Sequence, residues 1–150
     1  VPKKGWRPSF TLGPIGVSML MGVSLSVWMI WFCWYKSGLN PTPVDGQAIL
    51  ARHMLLMVLY LGVQIIATVL ARVKELSTAV ILTNGFVSAI PLVIGMIAVV
   101  NHFQGIINLT WYMPQLVLMW MLVSAIDALM GLGYAFNMKG RLFGGMPVNA

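Results

Sequence analysis

The sequence predicts an all-α integral membrane protein, a four-helix bundle with its N and C termini both cytoplasmic. Three observations predict it. Hydrophobic residues make up 59% of the 150-residue chain and charged residues only 8%. A soluble domain carries about 25% charged residues, so this chain cannot cover itself with a polar surface. Four apolar runs each reach the roughly 20 residues a helix needs to cross a bilayer. The nine Lys and Arg fall in short segments between those runs, which is the pattern of membrane topology. Open strands are excluded, because lipid offers unpaired backbone groups no partner.

The first span is predicted at Leu12 to Tyr35. Lys3 and Lys4 ahead of it resemble the start of a secretory signal. The run that follows is too long and lacks a small-x-small exit, so it is expected to be retained. Ser18, Gly22 and Ser26 lie at four-residue spacing. They put small residues on one face, a helix-packing surface for another span or another protomer. Trp28, Trp31, Trp34 and Tyr35 gather at the outer end, with Trp6 and Phe10 at the inner start. An aromatic belt accounts for them; the alternative for the three Trp is contact with a pigment or quinone.

An outer loop is expected from Ser37 to Arg52, where Asn40-Pro41-Thr42-Pro43 and Asp45-Gly46 are turn signals. The second span, His53 to Ala71, carries His53, Tyr60, Gln64 and Thr68. At 100° per residue these fall within about 80° of one another, forming one polar stripe. The link Arg72 to Ser77 is short, so spans two and three are expected to form a tight antiparallel hairpin. The third span, Thr78 to Val100, begins a stripe of Asn84, Ser88, Gly95 and, just beyond it, His102. These residues lie within about 40° on an ideal helix, with Pro91 as a kink point. A second outer loop, Asn101 to Thr110, leads to the fourth span, Trp111 to Phe136. The tail from Lys139 to Ala150 is rich in Gly and is expected to be flexible. The whole is one domain, residues 1–150.

Orientation follows from the basic residues. Lys3, Lys4, Arg7, Arg72, Lys74, Lys139 and Arg141 fall on one side, and only Lys36 and Arg52 on the other. The bias of seven to two places both termini inside. The net charge of +6 is thus a topology signal, and nucleic acid is not expected as a partner. The single cysteine, Cys33, excludes an internal disulfide and a Cys-based metal cluster.

Asp127, one of three acidic residues, sits near the middle of the fourth span. An Asp at a helix centre costs about 2.5–3.5 kcal/mol on insertion scales. Facing stripes on spans two and three would give it company. The expected intramembrane polar cluster is Asp127, Asn84, Ser88, Gln64 and Thr68, with Ser124, Gly131 and Tyr134 on Asp127's own face. In one reading these residues hydrogen-bond across helices and fix the bundle, with Asp127 neutral. In the other, Asp127 ionises and passes a proton or binds a cation. In a third, it pairs with a neighbouring chain.

His53 and His102 would lie at the same outer level. They read as interfacial residues, or as an outer-side ligand pair for a metal or haem. No metal site is assigned. The twelve Met read as pliable packing. No phosphate-binding Gly-rich loop, HExxH, paired carboxylates or Ser/His/Asp set is present, so no catalytic residue is assigned and the chain is not expected to be an enzyme. The function expected first is a non-enzymatic structural or assembly subunit of a homo-oligomeric or larger membrane complex. The alternatives are a proton, ion or small-solute transporter using Asp127, and a haem- or quinone-binding anchor of an electron-transfer complex. The expected partners are the lipid bilayer, other membrane subunits and copies of the chain, in a bacterial inner membrane.

Overall fold

The computed structural model describes residues 13–36, 43–73 and 78–143. The chain is all-helical. Helix α1 spans Gly13–Ile30 and runs on into one turn of π-helix, Trp31–Tyr35. Helix α2 is Pro43–Val73, α3 is Thr78–Phe103 and α4 is Met113–Phe143. Among the described residues, four segments are long and apolar enough to span a membrane: Ile15–Tyr35, Asp45–Ala71, Ala79–Phe103 and Met113–Phe136.

Two boundaries differ from expectation by more than three residues. Helix α2 starts ten residues earlier than predicted, so most of the expected outer loop is helix. Pro43 is pre-set for a first helical position, where its missing N–H is no loss. Asp45 in the first turn favours the helix dipole. The Pro-rich stretch therefore marks a helix start. At the other end, α4 continues to Phe143. Residues 139–143 of the expected flexible tail are helical, since Lys139 and Arg141 are good helix formers and outweigh Gly140. Residues 144–150 lie outside the described residues. So do Lys3, Lys4, Trp6, Arg7, Phe10, Leu12, the Asn40-Pro41-Thr42 turn and Lys74.

The packing order also differs. Helix α3 packs along α4 and against α1, while α2 packs against α1 and α4. Helices α2 and α3 occupy opposite corners, so spans two and three are not the side-by-side hairpin expected from their short link. The reason lies in the small residues of α3. A Cβ on Gly131 would stand 3.1 Å from the Gly85 Cα, so α3 and α4 meet backbone to backbone there. A Cβ on Gly22 would stand 3.1 Å from Val87 Cγ1, so α1 also approaches α3 closely. The Ser18, Gly22 and Ser26 stripe is buried within the chain. It packs spans of one protomer together and is not free to join protomers.

Pro91 lies inside α3 without a backbone N–H, and next to it Leu92 N–H and Ser88 C=O both face α4. Ser124 bridges them. Its hydroxyl accepts from Leu92 N–H at 3.1 Å and donates to the Ser88 carbonyl at 2.6 Å. Pro91 also frees the carbonyl of Val87, the residue four before it, and Gly22 of α1 abuts that carbonyl.

The interior divides by polarity. The larger apolar core, including Met29, Phe32, Cys33, Met57, Tyr112, Leu116 and Trp120, gathers where α1 ends and α4 begins. The π turn lets the consecutive residues Phe32 and Cys33 both face inward. The segment between α3 and α4 belongs to this core through Ile107 and Leu109. It begins with a Schellman cap: Gly105 at φ 76° donates to His102 C=O, and Ile106 N–H to Asn101 C=O at 2.9 Å.

Candidate functional site

Buried polar side chains occupy the other half of the bundle. Ser18 on α1 is the junction. Its hydroxyl contacts Gln64 Oε1 of α2 and lies 3.0 Å from Asn84 Oδ1 of α3. Gln64 returns a bond from Nε2 to the Ser18 carbonyl at 3.3 Å. The polar stripes of spans two and three thus converge as expected, but across the bundle diagonal and through a residue of span one. Ser18 reads from sequence as a small packing residue, and its place in a stripe hides its hydroxyl. One turn along α2 from Gln64, the Tyr60 hydroxyl donates to Asp127 Oδ2 at 3.4 Å, and Tyr60 is also within bonding reach of Gln64.

Asp127 is 3% exposed, so it faces the interior of its own bundle. The Ser88 hydroxyl is buried and has no hydrogen-bond partner among the described residues. Four of the five expected cluster residues, Asp127, Asn84, Ser88 and Gln64, are buried together with Tyr60 and Ser18. Thr68 is the exception. Its hydroxyl donates to the Gln64 carbonyl of its own helix at 2.9 Å, a local bond that keeps it out of the network.

The two histidines have separate roles. His102 Nδ1 accepts from Leu109 N–H at 3.1 Å and fastens the segment after α3. His53 Nδ1 accepts from the Trp120 indole N–H at 3.0 Å. No described contact joins them as a ligand pair. Among the described residues, no group of three or more His, Cys, Asp and Glu comes together to hold a metal.

The aromatic residues at the end of α1 also divide. Trp31 is exposed and stacks on Tyr35, as an interfacial belt requires. Trp28 turns inward. Its ring stacks on Phe32 at 4.7 Å and lies 5.1 Å from the His53 ring and 6.2 Å from that of Trp120. Trp120 meets Tyr60 edge-on at 5.7 Å. Between the Ser18–Gln64 contact and the Trp28–His53 contact, α1 and α2 gape. The gap is an open groove of about 480 Å³ with Trp120 and Tyr60 among its lining residues.

Comparison with protein-family models, characterised proteins and solved structures finds no match to this chain. The site is therefore read on its chemistry alone. It offers one buried carboxyl, a short run of hydrogen-bonding side chains and a lateral apolar groove.

Proposed function

We propose that the protein is a non-enzymatic integral membrane subunit, with both termini cytoplasmic, that works within a homo-oligomer or a larger membrane complex. The observation that supports this is the asymmetry of the bundle. Helices α1, α3 and α4 approach one another at the buried Gly22, Gly85 and Gly131, whereas along the membrane-deep part of α2 a Cβ on Gly62 would meet nothing within 4 Å and the close glycine contact of α2 is at its start, Gly46 against Tyr112. Helix α2 is the least buried span and exposes Met54, Leu55, Val58, Ile66 and Val69. A helix so lightly held offers its outer face to lipid or to a neighbouring subunit. The small-residue stripe of α1 is buried within the chain, so α2 offers the more open surface to a partner. Extraction in a gentle detergent followed by mass determination tests it. A mass above that of one 16.5-kDa chain is expected; a homogeneous monomer refutes it.

A second reading is favoured by the hydrogen-bonded run itself. Asn84 and Gln64 are both hydrogen-bonded to Ser18, and one turn along α2 from Gln64 the Tyr60 hydroxyl bonds to Asp127. Such a run would carry protons, with Asp127 as the exchanging group. Proton flux into liposomes, lost in Asp127→Asn, is the expected result; flux unchanged by that substitution removes this reading. The proposed location is a bacterial inner membrane, which the seven-to-two distribution of basic residues suits.

A further inference from the structure

The groove between α1 and α2 has two unlike ends. At one end Ser18 and Gln64 close it with polar contacts. About 15 Å away, ten residues along α1 and eleven along α2 at 1.5 Å rise, Trp28 and His53 close it with rings. Leu20, Leu56, Leu59 and Val63 line the stretch between, and Ser24 supplies the one small side chain that leaves room. No lining residue carries a formal charge. Lys36, near the ring end, sits over the Trp31 and Phe32 rings at 5.6 and 6.0 Å.

The ring end has a defined hydrogen-bonding sense. The Trp120 indole N–H can only donate, and it donates to His53 Nδ1. A neutral imidazole whose Nδ1 accepts carries its proton on Nε2. Nε2 has no protein partner among the described residues, and His53 lines the groove. His53, with its Nε2–H unpartnered, thus lines a groove that has an aromatic wall of Trp28, Trp120 and Tyr60 and an apolar trough.

We propose that this groove binds a neutral ring compound with a carbonyl oxygen and a hydrocarbon tail, of the quinone class. The carbonyl accepts from His53 Nε2–H, the ring lies against the aromatic wall, and the tail follows the trough towards Val63. Trp120 is a positioning residue, since it fixes the tautomer and angle of the imidazole without reaching the ligand's oxygen. The trough spans roughly 15 Å at the helical rise, which accommodates a ring and the first carbons of its tail, and its open side lets the rest of the tail pass into lipid. Uncharged lining favours a neutral ligand over a phospholipid headgroup. The proposal concerns the single chain and stands whatever its oligomeric state.

The test uses the full chain in phosphatidylcholine nanodiscs with decylubiquinone as the probe, read by quenching of tryptophan fluorescence. Decylbenzene, with the same tail and no carbonyl, is the competitor. Saturable quenching that decylbenzene does not displace is expected. Ser24→Phe fills the trough and is expected to abolish saturation. His53→Phe removes the donor and is expected to weaken binding about tenfold, the upper range for one hydrogen bond in a membrane. Quenching that only rises linearly with the probe-to-lipid ratio overturns the proposal, because it reports partition into lipid. Equal competition by decylbenzene, or wild-type affinity in Ser24→Phe, also overturns it. These two arms decide the matter even if His53→Phe fails to fold.

Discussion

The Ser124 hydroxyl donates to the Ser88 carbonyl at 2.6 Å and so enters the backbone of a helix other than its own. The same oxygen accepts from Leu92 N–H, so one side chain joins the two backbone groups beside Pro91. Both groups would otherwise be buried without this partner, and such a group costs about 1–3 kcal/mol. Ser124→Ala is therefore expected to destabilise the protein by about 1–2 kcal/mol. Thr83→Ala is the control, because Thr83 is exposed and bonds only to Ala79 of its own helix. Unfolding by steric trapping in bicelles compares the two; equal stability contradicts the bridging role.

Gly85 and Gly131 set the distance between α3 and α4. A Cβ on Gly85 would come within 2.7 Å of Leu132 Cδ2 and 3.0 Å of the Leu132 backbone nitrogen. Gly85→Val is expected to force the helices apart and lower the melting temperature in detergent. Gly62→Ala, in open space on α2, is expected to be neutral or slightly stabilising, since Ala is the better helix former by about 1 kcal/mol. A Gly85→Val protein as stable as Gly62→Ala would refute the close approach.

The loop between α3 and α4 depends on His102. Replacing it with Ala removes the acceptor of Leu109 N–H. Hydrogen exchange at the Leu109 amide is expected to quicken, while exchange near Tyr60 stays unchanged. Faster exchange throughout the bundle would mean that His102 supports more than this loop.

Much of this arrangement was legible in the sequence, and the limits have physical causes. Bilayer thickness fixes span length, so four apolar runs announce four helices. Helical periodicity places Asn84 and Ser88 on one face and His53, Tyr60 and Gln64 on another. It does not say which helix that face meets. The partner is decided by how closely two backbones can approach, and Gly85 against Gly131 outweighs the short link between α2 and α3. Proline was ambiguous in the same way. Pro43 reads as a turn in sequence, yet a first helical position suits it equally. Ser18 was visible only as a small residue and Ser124 only as a neighbour on Asp127's face, because a hydroxyl's role depends on the acceptors a fold brings to it. Thr68 was misplaced since its own helix offers the Gln64 carbonyl first.

Tyr60 and Asp127 carry the claim that the acid is sheltered within its own chain. Removing the acceptor with Asp127→Leu leaves the buried Tyr60 hydroxyl without it and is expected to cost about 1–3 kcal/mol. Asp127→Asn preserves an acceptor and is expected to cost less. Equal losses for the two substitutions, measured by the same unfolding assay, would rule out a hydrogen-bonding role.

The most direct measurement is solid-state NMR in lipid bilayers, reading the cross-peak between the Tyr60 ring carbons and the Asp127 carboxyl carbon. Labelled protein is diluted into unlabelled protein before reconstitution. A cross-peak whose intensity per labelled chain survives dilution is predicted, because the 3.4 Å contact lies within one chain. A cross-peak that fades on dilution, or none at all, would place Asp127 against a neighbouring subunit or against lipid and contradict the account.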